Sequence, residues 1–489
     1  MPLIILCGIV AGIGQVPLSL PWATLIAIAF AFLLLRAPQT ILQTALASWL
    51  FGLGYFAATL HWIVEPFFVD PDRHGWMAPF ALLLMAGGGA LFWAVGAALA
   101  RYLAPDGTQF ALAWVAGIVS AELLRSYLFT DFPWALIGHV WIGWAPMQLA
   151  SWVGAQGLTI LTLALPVAAV SFWPRRTRTA TIGAIGLALY ALGLALDSGT
   201  PEIAAEDRPL LRLVQPNAPQ HLKWHPDYVL TFFERQVEFT ALPSERPLDL
   251  IIWPETSVPT LLSRADNALD HMTVAAKGTP LVFGIQRRVD EDAFNSLAVL
   301  DAGGEVSQIY DKHHLVPFGE YIPGFKILAQ LPFGAFVREH GFGYAAGPGA
   351  RTLDLGKLGK VLPLICYEAI FPQDVNATSE RADWLLQITN DAWFGNWVGP
   401  YQHLAQARLR AVEQGLPMVR VANTGVSAVI DAKGRIVAQT SLNEAGVLDH
   451  ILPPALPETI YARTGDWPFT ALYLLLITGL WGTRRLIQH

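Results

Sequence analysis

The chain has 489 residues, enough for two or three domains, with 54% hydrophobic and only 14% charged residues. Such a balance, carried in long apolar runs, excludes an ordinary soluble globular protein and points to a membrane. A formal net charge of −7 without a clustered basic surface argues against nucleic acid as a partner, and two cysteines, Cys7 and Cys366, make no disulfide framework.

Residues 3 to 35 are almost wholly apolar but are interrupted by Pro17 and Pro21. The run exceeds the roughly 20 residues one span needs, so two short spans are expected there. It lacks a basic start and a small-residue cleavage site, so these are read as retained membrane segments and not as a signal peptide. Further apolar segments at 42–60, 79–100, 110–124, 147–172 and 181–196 bring the expected number of spans before the polar part to about seven. With a cytoplasmic N-terminus, Arg36, Arg101 and the Arg175, Arg176, Arg178 cluster all fall inside, and the loops around Asp70 and Asp131 fall outside. A last run from Phe469 to Trp481, followed by Arg484 and Arg485, returns the chain to the cytoplasm. The expected division is a membrane domain over 1–198, a polar domain over 208–454 on the outer face, and a linker with a C-terminal span over 455–489.

The polar part reads as α/β. Short apolar runs at 210–215, 248–253, 280–285, 296–300, 361–366, 384–388 and 418–422 predict buried strands, and the apolar spacing at 228–240 and 401–415 predicts helices between them. Strands alternating with helices imply sheets covered by helices.

Three polar points break these strands. Val361 to Cys366 is an apolar run that ends in a turn presenting a thiol, before Tyr367, Glu368 and Pro372. Taken alone, Cys366 reads as a small core hydrophobe. Glu255, in Trp253-Pro254-Glu255-Thr256, follows a strand directly and is either a site carboxylate or a surface cap. Lys312 lies in a loop rich in aromatics and proline, where a lone lysine is ordinarily solvated. Together they make chemical sense: a thiol needs a base, which Glu255 can supply, and a tetrahedral intermediate needs a fixed positive charge, which Lys312 can supply. His313 and His314 stand at no metal-ligand spacing, so no metal is expected.

Glu in WPET, Lys in YDKHHLVPFGEY and Cys in LICYE, in that order, resemble the Glu-Lys-Cys triad of the nitrilase, or carbon-nitrogen hydrolase, superfamily. Spans before and after such a domain resemble its membrane-embedded branch, the apolipoprotein N-acyltransferases. The resemblance implies a nitrilase-like α-β-β-α sandwich joined to an all-α polytopic membrane domain of about eight transmembrane helices. It implies Glu255 as general base, Lys312 as oxyanion stabiliser and Cys366 as nucleophile, with supporting or substrate-binding positions at Glu320, Tyr367, Glu368 and Trp224. No cofactor is implied. The implied donor is a membrane phospholipid, the acceptor a diacylglyceryl-modified apolipoprotein, and the location the bacterial inner membrane with the catalytic domain on the periplasmic face. Phe318, Tyr321, Ile322, Phe325, Phe333, Phe336, Phe342, Trp393, Phe394 and Trp397 are expected either to line an acyl-chain path or to pack in the core.

Two other readings stay open from the sequence. A membrane-tethered amidase would use the same triad with water as acceptor, although a soluble substrate gives no reason for so many spans. A transporter or scaffold is disfavoured by the few ionisable residues inside the spans.

Overall fold

The structure, a computed structural model, describes every residue except 38, 106, 174, 200–207, 325–342 and 489, and leaves out the side chains of 480 and 483–488. It divides into two compact units, one of Met1–Thr200, Trp397–Gln414 and Glu458–His489, the other of Pro201–Asn396 and Gly415–Pro457.

In the first unit the apolar runs form helices α1 (Pro2–Gly12), α2 (Pro21–Leu35), α3 (Ile41–Thr59), α4 (Ala78–Leu103), α5 (Gly107–Arg125), α6 (Ala150–Phe172) and α7 (Arg176–Asp197), and the C-terminal run forms a helix over Trp467–Gln488. Pro21 occupies the first turn of α2, where its missing N–H costs nothing. Thr40 and Gln43 close a reciprocal cap on α3, each side chain accepting from the other's backbone N–H at 3.2 and 3.0 Å. Among the described residues, five helical stretches are long and apolar enough to cross a membrane: Ile41–Thr59, Pro71–Leu103, Gly107–Arg125, Ala145–Phe172 and Arg176–Asp197. The region expected to give two N-terminal spans gives helices of 11 and 15 residues. At about 1.5 Å per residue, neither reaches the roughly 30 Å of a hydrocarbon core. The apolar described part of the C-terminal helix, Trp467–Gly479, is also short.

Close packing here depends on small residues. A Cβ added to Gly96 of α4 would stand 2.3 Å from the Gly117 carbonyl oxygen of α5, and the converse holds at the same distance, so the two backbones touch at these glycines. A buried carboxylate also belongs to this unit. Glu122 accepts from Trp93 Nε1 at 2.7 Å and from the Ile137 backbone N–H at 3.2 Å, and it pairs with Arg125 at 3.2 Å. The helix Val398–Gln414, which joins two strands of the other unit in sequence, is grouped with the apolar helices. Its Gln402 accepts from Trp62 Nε1 at 3.2 Å and Trp134 Nε1 at 2.7 Å. The same amide donates to the Val16 and Thr59 carbonyls, each at 3.2 Å, so its hydrogen-bonding capacity is filled.

The second unit holds strands β1 (Leu210–Gln215), β2 (Leu250–Ile252), β3 (Leu281–Val289), β4 (Asp292–Leu300), β5 (Val306–Asp311), β6 (Leu353–Asp354), β7 (Lys360–Ile365), β8 (Trp384–Thr389), β9 (Met418–Ala422), β10 (Ala428–Ile430), β11 (Ile436–Gln439) and β12 (Gly446–Ile451), with helices α8 (Val229–Ala241) and α9 (Asp266–Ala276). They make two mixed six-stranded sheets, ordered β12-β1-β2-β3-β4-β5 and β11-β10-β9-β8-β7-β6. Strands β1, β2 and β3 run parallel, as do β7, β8 and β9. The sheets face each other across a core in which Leu211, Leu213 and Ile252 of the first meet Val361, Leu386 and Val421 of the second. The outer face of the first sheet packs Val214, Ile251 and Phe283 against Phe233 of α8 and Met272 of α9. Burial on both faces is why the parallel strands read as unbroken apolar runs.

Candidate active site

The residues of interest leave the carboxyl ends of neighbouring strands. Beyond β2 the chain turns at Glu255 and Thr256, the latter at φ +46°, and this turn lies directly on Gly284 of β3. A Cβ at Gly284 would stand 2.4 Å from the Thr256 nitrogen, so only glycine lets the turn approach. Glu255 is consequently only 6% exposed, which removes the surface-cap reading of this side chain. Its Oε1 accepts from Asn295 Nδ2 and its Oε2 from the Asn390 backbone N–H, both at 2.7 Å. Burial pushes the Glu255 carboxyl above the usual range, with Lys312 opposing that rise and Glu320 adding to it.

Lys312 extends β5 by one residue, its N–H donating to the Asn295 carbonyl at 2.9 Å. Its ammonium is 1% exposed, lies 2.9 and 2.8 Å from the two carboxylate oxygens of Glu320, and is 3.9 Å from Glu255 Oε1. Burial pulls the Lys312 pKa down, but Glu320 and Glu255 outweigh it and hold the group above the ordinary lysine value. Glu320 also accepts from the Val316 N–H at 2.8 Å and from Asn295 Nδ2 at 3.3 Å, so one carboxylate both shapes its loop and seats the lysine.

Cys366 directly follows β7, at φ +52°, and starts a short 3-10 turn, Cys366–Ile370. A left-handed conformation costs a non-glycine residue roughly 1–2 kcal/mol. The backbone here is fixed by Gln387 Nε2, which donates to the Cys366 carbonyl at 3.0 Å. Gln387 accepts in turn from Arg420, which is also paired with the fully buried Asp391. Burial raises the thiol pKa well above its ordinary value; Glu255 raises it further, and Lys312 and a hydrogen bond with Thr389 oppose this. At neutral pH the resting sulfur is therefore a thiol.

The supporting positions are distributed unevenly. Glu368, two residues beyond the thiol in sequence, is turned toward the lysine loop. It accepts from the N–H groups of Ile365 at 2.7 Å, His313 at 2.8 Å and His314 at 3.3 Å, and from Tyr310 Oη at 3.2 Å. It thus ties the end of β7 to the segment that carries Lys312. Burial pulls His313 down, but Asp374 and Glu368 carry it up to about 10, so its ring is a cation against that carboxylate. Tyr367 is buried, its ring edge-on to Phe371 at 4.8 Å and to His314 at 5.7 Å. Trp224 is 44% exposed, and its route to the other residues is Lys223, whose ammonium lies 5.3 Å from the indole centroid.

Sequence reasoning did not single out Asn295, Asn390 or Lys223. Asn295 and Asn390 hold Glu255, and Asn390 is held by Gln220 and Asn423 through side-chain bonds of 2.8 Å. A polar pair, Asn390-Asp391, one residue beyond the apolar run 384–388 was the available signal, akin to the one that marked Glu255. Of the aromatic set, Phe325, Phe333, Phe336 and Phe342 lie outside the described residues. Phe318, Trp393 and Trp397 are exposed, and Phe394 packs against the inter-sheet core.

Residues 211–459 match the carbon-nitrogen hydrolase family, and residues 7–168 match the apolipoprotein N-acyltransferase N-terminal domain. The chain is 39% identical over 459 residues to the apolipoprotein N-acyltransferase of Rhodopseudomonas palustris, covering 88% of this chain and 84% of that protein. It is 40% identical over 458 residues to that of Bradyrhizobium diazoefficiens, with the same coverage, and 38% identical over 466 residues to that of Caulobacter vibrioides, covering 89% and 85%. Among solved structures it is similar to an amidase from Nesterenkonia sp. AN1, at 19% identity and TM-score 0.39 over 54% of this chain and 99% of that one. A CN-hydrolase superfamily protein from Xanthomonas campestris matches at 22% identity and TM-score 0.36, over 54% and 96%. With relatives at this identity along most of its length and both domains matched, the chain belongs to the apolipoprotein N-acyltransferase family.

Proposed function

We propose that this chain moves a fatty acyl group from a membrane phospholipid, through a thioester on Cys366, to the α-amine of the N-terminal S-diacylglyceryl-cysteine of apolipoproteins. The observation that carries the reading is the buried group of Glu255, Lys312 and Cys366 in a chain of this family, where a thiol with a raised pKa stands beside a carboxylate and a fixed cation.

In the first half reaction Glu255 takes the thiol proton as sulfur attacks the ester carbonyl of the phospholipid. The negative charge on the carbonyl oxygen is met by the Lys312 ammonium, which Glu320 holds in place. Collapse breaks the C–O ester bond, and the departing lysophospholipid oxygen takes the proton back from Glu255. In the second, the neutral α-amine attacks the thioester, Glu255 accepts its proton, and the C–S bond breaks. The thiolate recovers that proton, leaving an amide and the resting thiol. No cofactor enters either step.

Both substrates are lipids, which accounts for a catalytic domain tied to the membrane on both sides. The proposed arrangement is a multi-pass protein of the inner membrane with the catalytic domain, 208–454, on the periplasmic face. It rests on the Arg distribution at the helix ends and on about eight crossings, short helices included. The deciding experiment is intact-mass spectrometry after mixing the purified protein with phospholipid micelles. An acyl adduct mapped to Cys366, with stoichiometric lysophospholipid, supports the reading. Hydrolysis of a small amide, with neither an acyl adduct nor lysophospholipid from the micelles, would favour an amidase instead.

A further inference from the structure

The acyl-transfer reading assigns no task to Lys223, although this lysine is only 7% exposed and its ammonium sits against the backbone of Glu255. Nζ donates to the Glu255 carbonyl at 3.2 Å and to Thr256 Oγ1 at 3.0 Å, bridging the turn that aims the Glu255 side chain. We infer that Lys223 is a positioning residue for the base, fixing the Glu255 turn and supplying the positive charge that keeps the buried Glu255 carboxylate ionised. This deepens the reading of Glu255 as base and Cys366 as nucleophile and rests on it.

The argument is one of charge balance. Glu255 and Glu320 are both carboxylates in a buried cluster, and Lys312 is engaged by both oxygens of Glu320. With only these three charged, the cluster carries one negative charge too many. Glu255, the more deeply buried carboxylate and the one farther from Lys312, is then the group that relieves it by binding a proton. A protonated Glu255 cannot accept from the thiol. Lys223 supplies the second cation, and its charge lowers the Glu255 pKa. Burial lowers Lys223 to about 8, with Glu255 and Cys366 opposing the fall, so it is mostly charged at neutral pH.

The other charged or titratable groups around it do not replace it. Asp391 is neutralised by Arg420, Tyr344 is pushed up to about 12 by burial with Glu320 and Glu255 adding to the rise, and Arg235 of α8 is bonded to the Pro216 carbonyl. His221 and His225, on the same turn as Lys223, are exposed. Trp224 gains a role in the same way: its ring face stabilises the Lys223 cation at 5.3 Å without itself reaching the thiol.

The test is the pH dependence, from pH 5 to 9, of Cys366 thioester formation by the full-length protein in detergent micelles with a diacyl phospholipid of defined chains. Lys223→Gln can still donate to the Glu255 carbonyl but has lost the charge, so the acid limb should move up by about one pH unit. The rate should then fall roughly tenfold below the limb and recover toward the parent plateau at high pH. Lys223→Arg should restore the parent limb, and Thr256→Val, which removes one acceptor and keeps the cation, should leave it in place. If Lys223→Gln does not purify as folded protein, Lys223→Met, which keeps the buried stem, should give the same upward shift. A loss that is equal at all pH values, or a limb that does not move, would overturn the inference in favour of a mere tether. Absence of any adduct on Cys366 in the parent protein would instead overturn the underlying reading.

Discussion

Glu320→Gln isolates the second carboxylate. In the parent, the Lys312 ammonium has both Glu320 oxygens within 2.9 Å and Glu255 Oε1 at 3.9 Å. With an effective dielectric of about 20, unit charges at 2.8 Å attract by roughly 6 kcal/mol and at 3.9 Å by roughly 4 kcal/mol. Glu320 is therefore the stronger partner and holds the ammonium away from a direct pair with the base. The glutamine keeps shape and can still accept from the Val316 N–H, but the fully buried ammonium then turns to Glu255. Two consequences follow. Glu255 loses the neighbouring negative charge that raises it and gains a closer cation, so the acid limb of thioester formation should move down, by about one pH unit. The plateau should fall on the order of 10²-fold, because the ammonium has left the oxyanion position and the base is weakened. Removing one partner of a buried pair also costs about 3–5 kcal/mol in stability, visible as a lower Tm. The assay is single-turnover acylation of Cys366 followed by intact mass across pH 5 to 9. An acid limb that moves up, or a plateau within twofold of the parent, would refute this division of labour between the two carboxylates.

Glu255→Gln keeps the size and loses the base, so thioester formation should drop by about 10² to 10⁴ at every pH, and near-normal acylation would remove Glu255 from the chemistry. Cys366→Ser should give a folded, membrane-inserted protein with activity near background, because an alcohol is far harder to ionise than a thiol of pKa about 8.5; turnover comparable to the parent would make Cys366 a packing residue. A reporter active only outside the cytoplasm should be on when fused after Pro201 and off after Arg178, and the reverse pattern would invert the proposed topology.

How much the sequence discloses follows from how each element is buried. Strands β1, β7, β8 and β9 are buried along almost their whole length, and 210–215, 361–366, 384–388 and 418–422 are accordingly plain apolar runs. Strand β5 carries Ser307 and Gln308 side by side and is only partly covered, and β11 and β12 are half-exposed along their length. Their polar residues read as loop, because a half-buried strand has no continuous apolar run to find. At the site, Glu255 and Cys366 stood out as reactive types at the ends of apolar runs, whereas Lys312, in a segment with no such run, was picked out only in company with them. Asn295 was not, since a single amide in a strand carries no reactive signature and acquires its role only when β4 brings it to two carboxylates. Lys223 stood hidden beside Trp224, where a lysine on a short polar turn is ordinarily solvated. The N-terminal apolar run showed composition correctly but not length, because Gly12 and Pro21 bound helices that composition alone would run longer.

The hydrogen bonds of the carboxylates explain how segments far apart in sequence act at one atom. Glu368 binds the end of β7 and the His313 segment at once, so the strand carrying the thiol and the loop carrying Lys312 move together. Asn295 reaches both Glu255 and Glu320, and the Asn390 N–H fixes the remaining oxygen of Glu255. Each carboxylate therefore spends its lone pairs on backbone or side-chain donors from a different segment, and none can swing without breaking bonds in a buried setting, where an unmet charged group is costly. That rigidity suits the proposed two-step acyl transfer. In that proposal the leaving alcohol of the first step and the attacking amine of the second differ in size and basicity, but both would pass through a tetrahedral carbon on the same sulfur with its oxygen in the same position. A fixed cation and a fixed base would serve both passages without rearrangement, so the proposal places selectivity between donor and acceptor in the surroundings of the site and not in movement of the charged groups.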